Sequence, residues 1–481
     1  MNHLNKFSSF NLSEEILKAL TMLKYLEPTK IQEVVIPKAL EGSDIVGKSK
    51  TGTGKTAAFA IPICEQVIWD EYLPQALILE PTRELAVQVK TEVFHIGRKK
   101  RLKVPVLFGG MPIDKQTTTL KQKSHVVVGT PGRILDHLRR GNLKLNNIKF
   151  LVIDEADLML DMGFQEEVNE IISQLPNKRQ TMLFSATMSE AIKELVNQNM
   201  INPLTIAIES KTETVSTIEE EFYAVDNEDK YHTFFSILLM ENPKDCMIFC
   251  ATREMVNTLY HKMTRDKIKC GMLHGELDQR QRLQVIDDFR EGKFHFLVCT
   301  DVAARGIDFD TITHVIHYDF PTGRETYVHR TGRTGRNGKN GKAISLVTPD
   351  EEKMKKMVEA YTLRKIEEKI CPKREEINEK EFWKQQSEKT VQKEKKGAVF
   401  NKTITRLCIG GGKKSKMRAV DIVGAICSVD GIKAEDIGII DIRDSLTYVE
   451  ILNNKGNKVV NELQNKTIKG KIRKVKITRG A

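Results

Sequence analysis

The sequence predicts an α/β protein with two tandem lobes built on parallel sheets, followed by a small α+β domain. Three observations carry that expectation. Short apolar runs alternate with longer helical patterns from Leu40 to Ile208, the same alternation restarts at Ile218, and a third pattern begins after residue 402. In the first stretch DIVG, QALILEP, VPVLFG, HVVVGTP, KFLVIDEAD and QTMLFSAT each read as a buried strand. Nearly continuous apolar strands separated by helices imply a parallel sheet with helices on both faces. KDCMIFCAT, IKCGMLHG, FHFLVCTD, ITHVIHYD and GKAISLVTP repeat the pattern. These runs set a first lobe over residues 1–208 and a second over 209–364.

Residues 365–402 turn polar and charged, with helix formers but few apolar anchors, and predict a solvated helix or charged linker. Residues 403–481 then read TRLCIGG as a strand, RAVDIVGAICSV as a helix, DIGIIDIRD and LTYVEIL as strands, NKVVNELQN as a helix and KIRKVKI as a strand. That βαββαβ order is ferredoxin-like, the arrangement of an RNA-recognition motif (RRM).

A chain of 481 residues exceeds what one hydrophobic core usually serves, in keeping with several domains. No apolar run approaches the roughly 18 residues of a membrane span, and MNHLNKFSSFNLSEE lacks the basic-then-apolar order of a secretory signal. A cytoplasmic protein is expected. The eight cysteines include no Cys-x-x-Cys pair and no matching histidine cluster, which favours reduced core thiols over zinc or disulfides. The net charge of +11 is unevenly placed. Residues 1–364 hold 49 Lys+Arg against 49 Asp+Glu, residues 365–402 hold 11 against 8, and residues 403–481 hold 16 against 8. A single-sign field on the last stretch attracts a polyanion, so nucleic acid is the expected partner there.

The segment Ser49, Lys50, Thr51, Gly52, Thr53, Gly54, Lys55, Thr56 lies between a strand and a helical pattern. Its glycines let backbone N–H groups turn toward phosphate oxygens, Lys55 reaches the β/γ-phosphates of a nucleotide, and Thr56 offers its hydroxyl to Mg²⁺. KFLVIDEAD ends a buried strand in Asp154, Glu155 and Asp157. Asp154 is assigned to the metal's water shell and Glu155 to the attacking water. YVHRTGRTGR places Arg330, Arg333 and Arg336 at intervals of three, on one face of a helix or tight turn, as reaching a γ-phosphate requires. A surface basic stripe is the alternative.

Together these residues resemble the DEAD-box RNA helicases, and the likeness covers nearly all of residues 1–364. It implies two RecA-like lobes, ATP with Mg²⁺, and an RNA-stimulated ATPase that separates RNA strands. The family's Q motif is similar to Tyr25, Pro28, Thr29 and Gln32 with Phe7 upstream, and implies that Gln32 reads adenine. Two positions depart from the family pattern: Lys24 stands where glycine is usual, and Ser49 where alanine is usual. PTREL with Arg83, Gly109 and Gly110, and TPGR with Thr130 and Arg133, resemble RNA-contact motifs. Ser185 to Thr187 resembles the motif coupling hydrolysis to strand separation. Gln279 and Arg282 fit QxxR, and Thr300 to Asp308 fits the motif touching RNA and ribose. The likeness implies arginine fingers at Arg333 and Arg336.

The C-terminal segment resembles the RNA-binding domain of bacterial DbpA-type helicases. That likeness implies a hairpin of large-subunit ribosomal RNA as target, pre-ribosomal particles as partners and a role in ribosome assembly; a monomer is the expected state, though no residue pattern shows it. The residues themselves lack the aromatic-rich stacking pattern of most RNA-recognition motifs, since Tyr448 is the single aromatic on LTYVEIL. Contacts are expected instead from Arg406, Lys413, Lys414, Lys416 and Arg418, with flexible glycines at 410–412 allowing close approach. Two competing readings are a non-catalytic RNA clamp and a DNA helicase. The intact Glu155, Arg333 and Arg336 stand against the first, and the RNA-binding-like tail against the second.

Overall fold

In the computed structural model, the apolar runs of the first lobe become one sheet. Its strands are β1 (Ile45–Lys48), β2 (Ala76–Leu79), β3 (Val106–Leu107), β4 (Val126–Gly129), β5 (Phe150–Ile153), β6 (Gln180–Ser185) and β7 (Leu204–Ala207). They pair in parallel in the order β3-β4-β2-β5-β6-β1-β7. Alternate residues face opposite cores. Ile78, Val128 and Val152 pack with the helices Lys55–Gln66 and Arg83–Ile96, while Leu79, Val127 and Ile153 pack with Pro131–Arg139 and Gln165–Ser173. The strands are therefore apolar on both faces, as the sequence implies. The structure describes residues 6–49, 52–207, 218–304, 307, 309, 312–335, 339–371, 377–388, 400 and 403–478. Among them, no helix is long and apolar enough to cross a membrane.

The second lobe repeats the plan with β8 (Ile218–Ala224), β9 (Cys246–Cys250), β10 (Cys270–Leu273), β11 (Phe296–Thr300), β12 (His314–His317), β13 (Gly341–Val347) and β14 (Glu367–Glu368). Their order is β10-β11-β9-β12-β13-β8-β14, again all parallel. Counted from each lobe's first strand, the two orders are identical. The sequence reading has no counterpart for β7, β8 or β14, which lie toward one edge of their sheets. Polar residues survive there, as in IEEEFYA of β8 and the two glutamates of β14.

The expectation of a solvated stretch at 365–402 is corrected over its first half. Beyond β14, the helix Lys380–Ser387 packs on the second lobe through Phe382, fully buried and 6.0 Å from the Phe296 ring. Trp383 stands 6.4 Å from Phe235, and Gln386 Oε1 accepts from Lys269 N at 3.1 Å. Two aromatic anchors suffice where the surrounding composition is polar. Residues 209–394 accordingly form one compact unit, and residues 1–208 with 395–481 form another.

In the C-terminal domain β15 (Thr405–Gly410), β16 (Ile437–Ile442) and β17 (Leu446–Ile451) form an antiparallel sheet with a last strand, reached after the ribbon β18 (Thr467–Ile468) and β19 (Lys471–Ile472). The last strand is β20 (Val475–Ile477), so KIRKVKI is split between β19 and β20. The order β16-β17-β15-β20, with helices Ala419–Cys427 and Gly456–Leu463, is the expected ferredoxin-like arrangement. Leu407, Ile409, Ile422, Ile426, Val449, Val459 and Leu463 fill its own core. The domain is seated on the first lobe. Phe400 is buried in that lobe's core and stacks on His95 at 5.8 Å. Lys103 Nζ donates to Ile440 O and Arg101 Nη2 to Ala434 O, each at 2.8 Å.

Candidate active site and nucleic-acid interface

Because every strand within a lobe runs the same way, the loops after the strands gather at one edge of the sheet, where open α/β sheets bind ligands. In the first lobe the loop after β1 turns at Gly52 (φ 81°) and Gly54 (φ 92°) before the helix begins at Lys55. A Cβ on Gly54 would lie 2.5 Å from Gln32 Nε2. The reason is that the Q-motif residues grip the loop's main chain. Thr29 Oγ1 donates to Thr53 O at 2.9 Å, Gln32 Nε2 donates to Gly54 O at 3.0 Å, and Gln32 Oε1 accepts from Thr29 N at 3.0 Å. Ser49 Oγ lies 3.1 Å from Thr53 Oγ1. Lys50 and Thr51 lie outside the described residues.

Phe7 and Tyr25, the aromatic residues of the same motif, stand with their rings 6.4 Å apart. Phe7 is fully buried, and Tyr25 OH donates to Glu92 Oε1 at 2.5 Å. Lys24, where the family has glycine, adopts φ 63° in the turn just before Tyr25. The turn is kept, at the steric cost of about 1–2 kcal/mol that a left-handed non-glycine residue carries.

Lys55 Nζ donates to Glu155 Oε1 at 2.5 Å and stands 3.8 Å from Asp154 Oδ1, all three side chains being nearly buried. Burial opposes the lysine's charge, but Glu155 and Asp154 overcome it and hold the ammonium well above its ordinary range. Burial pushes the Asp154 carboxyl up, with Lys55 opposing and Glu155 reinforcing the shift. Glu155 itself sits at φ 46°, ψ 50°, the left-handed region, as the N-cap of the helix Ala156–Asp161. Strain of that kind gathers at functional sites. Asp157, the third acid of the run, accepts from Ala186 N and Thr187 N, each at 3.0 Å, and from Thr187 Oγ1 at 3.3 Å. It therefore ties the β5 loop to the β6 loop, a role the sequence run alone does not specify. Thr56, the second helical residue, and Asp154 offer hard oxygen donors of the kind magnesium takes.

The remaining first-lobe loops also converge. Arg83 begins the helix after β2, and its guanidinium lies close over Gly109, where a Cβ would meet Nη2 at 3.4 Å. Gly110 has φ 81°. Arg133 Nη1 donates to Met111 O at 3.0 Å, and Thr130 caps the helix carrying Arg133. Arg83, Gly110, Thr130 and Arg133 are thus brought to one rim.

In the second lobe, Gln279 opens the helix Gln279–Arg290, Arg282 Nη2 donates to Ala303 O at 3.4 Å, and Thr300 ends β11. Of the three arginines, Arg330 and Arg333 fall within the described residues, and they do not share one helix. The helix ends at Thr331, and Arg330 is locked inside the lobe by two bonds to Asp301, at 2.6 and 2.7 Å, and one to Asp319 O at 2.7 Å. Arg333 lies in the turn beyond, with Nη1 on Ile307 O at 2.8 Å. Arg336 and Asp308 lie outside the described residues.

On the C-terminal domain, Lys413, Lys414, Lys416 and Arg418 are exposed along one loop. The glycines before it do not give flexibility. A Cβ on Gly412 would lie 2.0 Å from Arg443 O, because the loop is stitched to the β16–β17 turn by Lys413 N to Arg443 O and Lys414 N to Asp444 O, each at 2.8 Å. Gly412 permits close approach of backbone to backbone, and the loop is fixed. Tyr448 lies between two guanidinium groups, Arg406 at 5.2 Å and Arg443 at 4.6 Å from its ring centre.

Comparison with known proteins agrees with this geometry. The DEAD/DEAH box helicase family matches residues 29–195, the helicase conserved C-terminal domain residues 229–338, and the DbpA RNA binding domain residues 406–478. The ATP-dependent RNA helicase DbpA of Bacillus subtilis is 49% identical over 474 residues, spanning 98% of this chain and 99% of that protein. The DEAD-box ATP-dependent RNA helicase CshA of Streptococcus pneumoniae is 44% identical over 75% of this chain and 69% of its own length. The structure of S. cerevisiae Dbp5 bound to RNA and ADP BeF3 aligns with a TM-score of 0.69 at 33% identity, over 79% of this chain and 99% of that one. Two parallel-sheet RecA-like lobes, a glycine loop facing an Asp-Glu-Ala-Asp run and a terminal DbpA RNA-binding domain make this chain a member of the DbpA-type DEAD-box ATP-dependent RNA helicases, RNA-stimulated ATPases that bind ATP and RNA.

Proposed function

We propose that this helicase is directed to a hairpin of large-subunit ribosomal RNA by its C-terminal domain and works, as a cytoplasmic monomer, on large-subunit assembly by melting short duplexes beside that hairpin. The observation that carries the reading is the fixed basic loop Lys413–Arg418, stitched to the turn that bears Arg443. Cations on a fixed backbone discriminate among RNA shapes better than those on a mobile one, because less ordering entropy is lost on binding. Arg406 and Tyr448 beside it offer stacking and phosphate contact. Seating of the domain on the first lobe supports delivery of a bound RNA to a set place rather than at the end of a loose tether.

Within the ATP site, Lys55 leaves Glu155 for the β/γ-phosphates, the Ser49–Thr56 amides cradle them, and Glu155, freed, orients and deprotonates the attacking water. Gln32 reads adenine with Phe7 and Tyr25 behind it, and Asp308 meets the ribose. Asp154 and Thr56 would hold Mg²⁺, which when bound supplies charge to neutralise the phosphates. Arg333 and Arg336 stabilise the transferring phosphoryl group. Arg83, Gly110, Thr130 and Arg133, with Gln279, Arg282 and Thr300, grip the RNA backbone.

The test is steady-state ATPase at moderate salt with no nucleic acid, single-stranded DNA, generic RNA and a ribosomal RNA fragment carrying the hairpin. Activation by the fragment at a far lower concentration than by generic RNA is expected. Equal activation by both RNAs would remove the specific target while leaving the helicase.

A further inference from the structure

A carboxyl group with no assigned task stands beside the Lys55 pair. Glu80 directly follows β2. Leu79 pairs with Ile153 in the neighbouring strand, so one step further along the register sets Glu80 beside Asp154, on the same face of the sheet. Its main chain is fixed there by Glu80 N donating to Gly129 O at 2.9 Å. The side chain is 0% exposed, and no protein group among the described residues hydrogen-bonds either carboxyl oxygen.

Such an arrangement lowers stability. An unpaired polar group buried in a protein costs about 1–3 kcal/mol, and an ionised one more. An apolar residue would continue the sheet without these costs, as Ile78, Leu79 and Ile153 do. Acids held at such a disadvantage and beside a reacting site point to a ligand that needs them.

The neighbouring chemistry narrows that ligand. A nucleotide's phosphates are anionic and gain nothing from a carboxylate. A divalent cation keeping its water shell presents outward-pointing O–H donors that need acceptors. Among the described residues no three acids, histidines or cysteines are grouped so as to grip a bare ion. We propose that Glu80 accepts hydrogen bonds from water on the nucleotide's divalent cation, so that this chain holds the cation with Asp154 and Glu80 together. Glu80 is then a positioning residue for the metal. The proposal rests on reading the first-lobe loop as the nucleotide site.

The experiment uses the full-length protein and its E80L, E80Q and K55A variants, with a fluorescent ADP titrated in EDTA and then with Mg²⁺ at fixed nucleotide. For E80L the Mg²⁺ midpoint should rise about tenfold or more, the usual effect of losing an outer hydrogen-bond partner, while metal-free affinity is unchanged. The nucleotide-free protein should melt at a higher temperature, because the unpaired acid is gone. E80Q keeps one acceptor oxygen and should fall between. An unchanged Mg²⁺ midpoint in E80L, or in E80Q if E80L does not fold, overturns the proposal. K55A separates the two readings. If it binds nucleotide as wild type does, the site itself has been misread; if it binds weakly while E80L keeps its Mg²⁺ response, only the role of Glu80 fails.

Discussion

Arg98 of the first lobe and Glu450 of the C-terminal sheet form an ion pair of 3.2 Å, with their side chains 9% and 14% exposed. The guanidinium also lies over the rings of Phe94 and Phe400, at 4.9 and 5.7 Å. Glu450 and Tyr448 are two apart on β17 and so share the sheet face that points away from the domain's own core. The pair therefore fastens the open face of the sheet to the helicase core. R98E or E450R alone should weaken docking by about 1–3 kcal/mol, and R98E/E450R should recover part of it. Energy transfer between dyes on the first lobe and the C-terminal domain reads this directly; single variants indistinguishable from wild type would remove the pair from the interface.

Replacing Glu155 by Gln takes away both the base and the tightest partner of Lys55. Hydrolysis in a single turnover should fall by about 10²-fold or more, while fluorescent ATP binds as well as before or better. Normal turnover in E155Q would assign the base elsewhere.

Stability of the first lobe should fall in acid through His125. Its Nδ1 accepts from Lys103 N at 2.8 Å and its Nε2 lies 3.0 Å from Trp69 O, so the neutral ring is satisfied at both nitrogens. Burial, only partly opposed by the Trp69 carbonyl, pushes its pKa down to about 4. With the folded value below the unfolded one, the unfolded chain takes up the proton first, and stability is lost as pH falls from about 6.5 toward 4. At pH 5 the loss is about 2 kcal/mol from this group. Denaturant midpoints at pH 7.5 and pH 5 measure it, and H125Q should flatten the difference. Lys103 also holds Ile440 O, so docking of the C-terminal domain should loosen over the same range.

Gly412 is predicted to be intolerant of even one added carbon, since the new Cβ would meet Arg443 O at 2.0 Å. G412A should cost about 1–3 kcal/mol of domain stability and move Lys413 and Lys414. Filter binding should then show weakened affinity for hairpin-bearing RNA, while ATPase under saturating generic RNA changes little. Undiminished hairpin affinity would place the recognition surface elsewhere.

Much of the fold was legible because parallel strands buried on both faces write themselves as unbroken apolar runs, as in VVVG of β4 or FLVI of β5. β8 was not legible, since its Glu221 is held by lysines from other segments rather than by a pattern of its own, Lys342 at 3.1 Å and Lys369 at 3.7 Å, while β14 is two exposed glutamates. The phosphate loop and the Asp-Glu-Ala-Asp run were readable as local motifs. What joins them was not. The grip of Thr29 and Gln32 on the loop, the tie from Asp157 to Thr187 and the placement of Glu80 against Asp154 all depend on neighbours brought together by sheet order. The linker was misread because two aromatic residues anchor it, too few to shift composition.

The matching strand orders of the two lobes extend to a charged pair. Lys230 opens the helix after β8 as Lys55 opens the one after β1, and its Nζ meets Asp319 Oδ1 at 2.8 Å, just beyond β12, the counterpart of β5. The residues ahead of the two lysines differ in kind: Asp226, Asn227, Glu228 and Asp229 stand where the first lobe has a glycine loop. The second lobe thus has a lysine–carboxylate clasp like that of the first without the glycine loop before it. Among the described residues only the first lobe joins clasp and cradle, so a nucleotide's phosphates have a glycine loop to meet there and an acidic stretch to avoid in the second lobe.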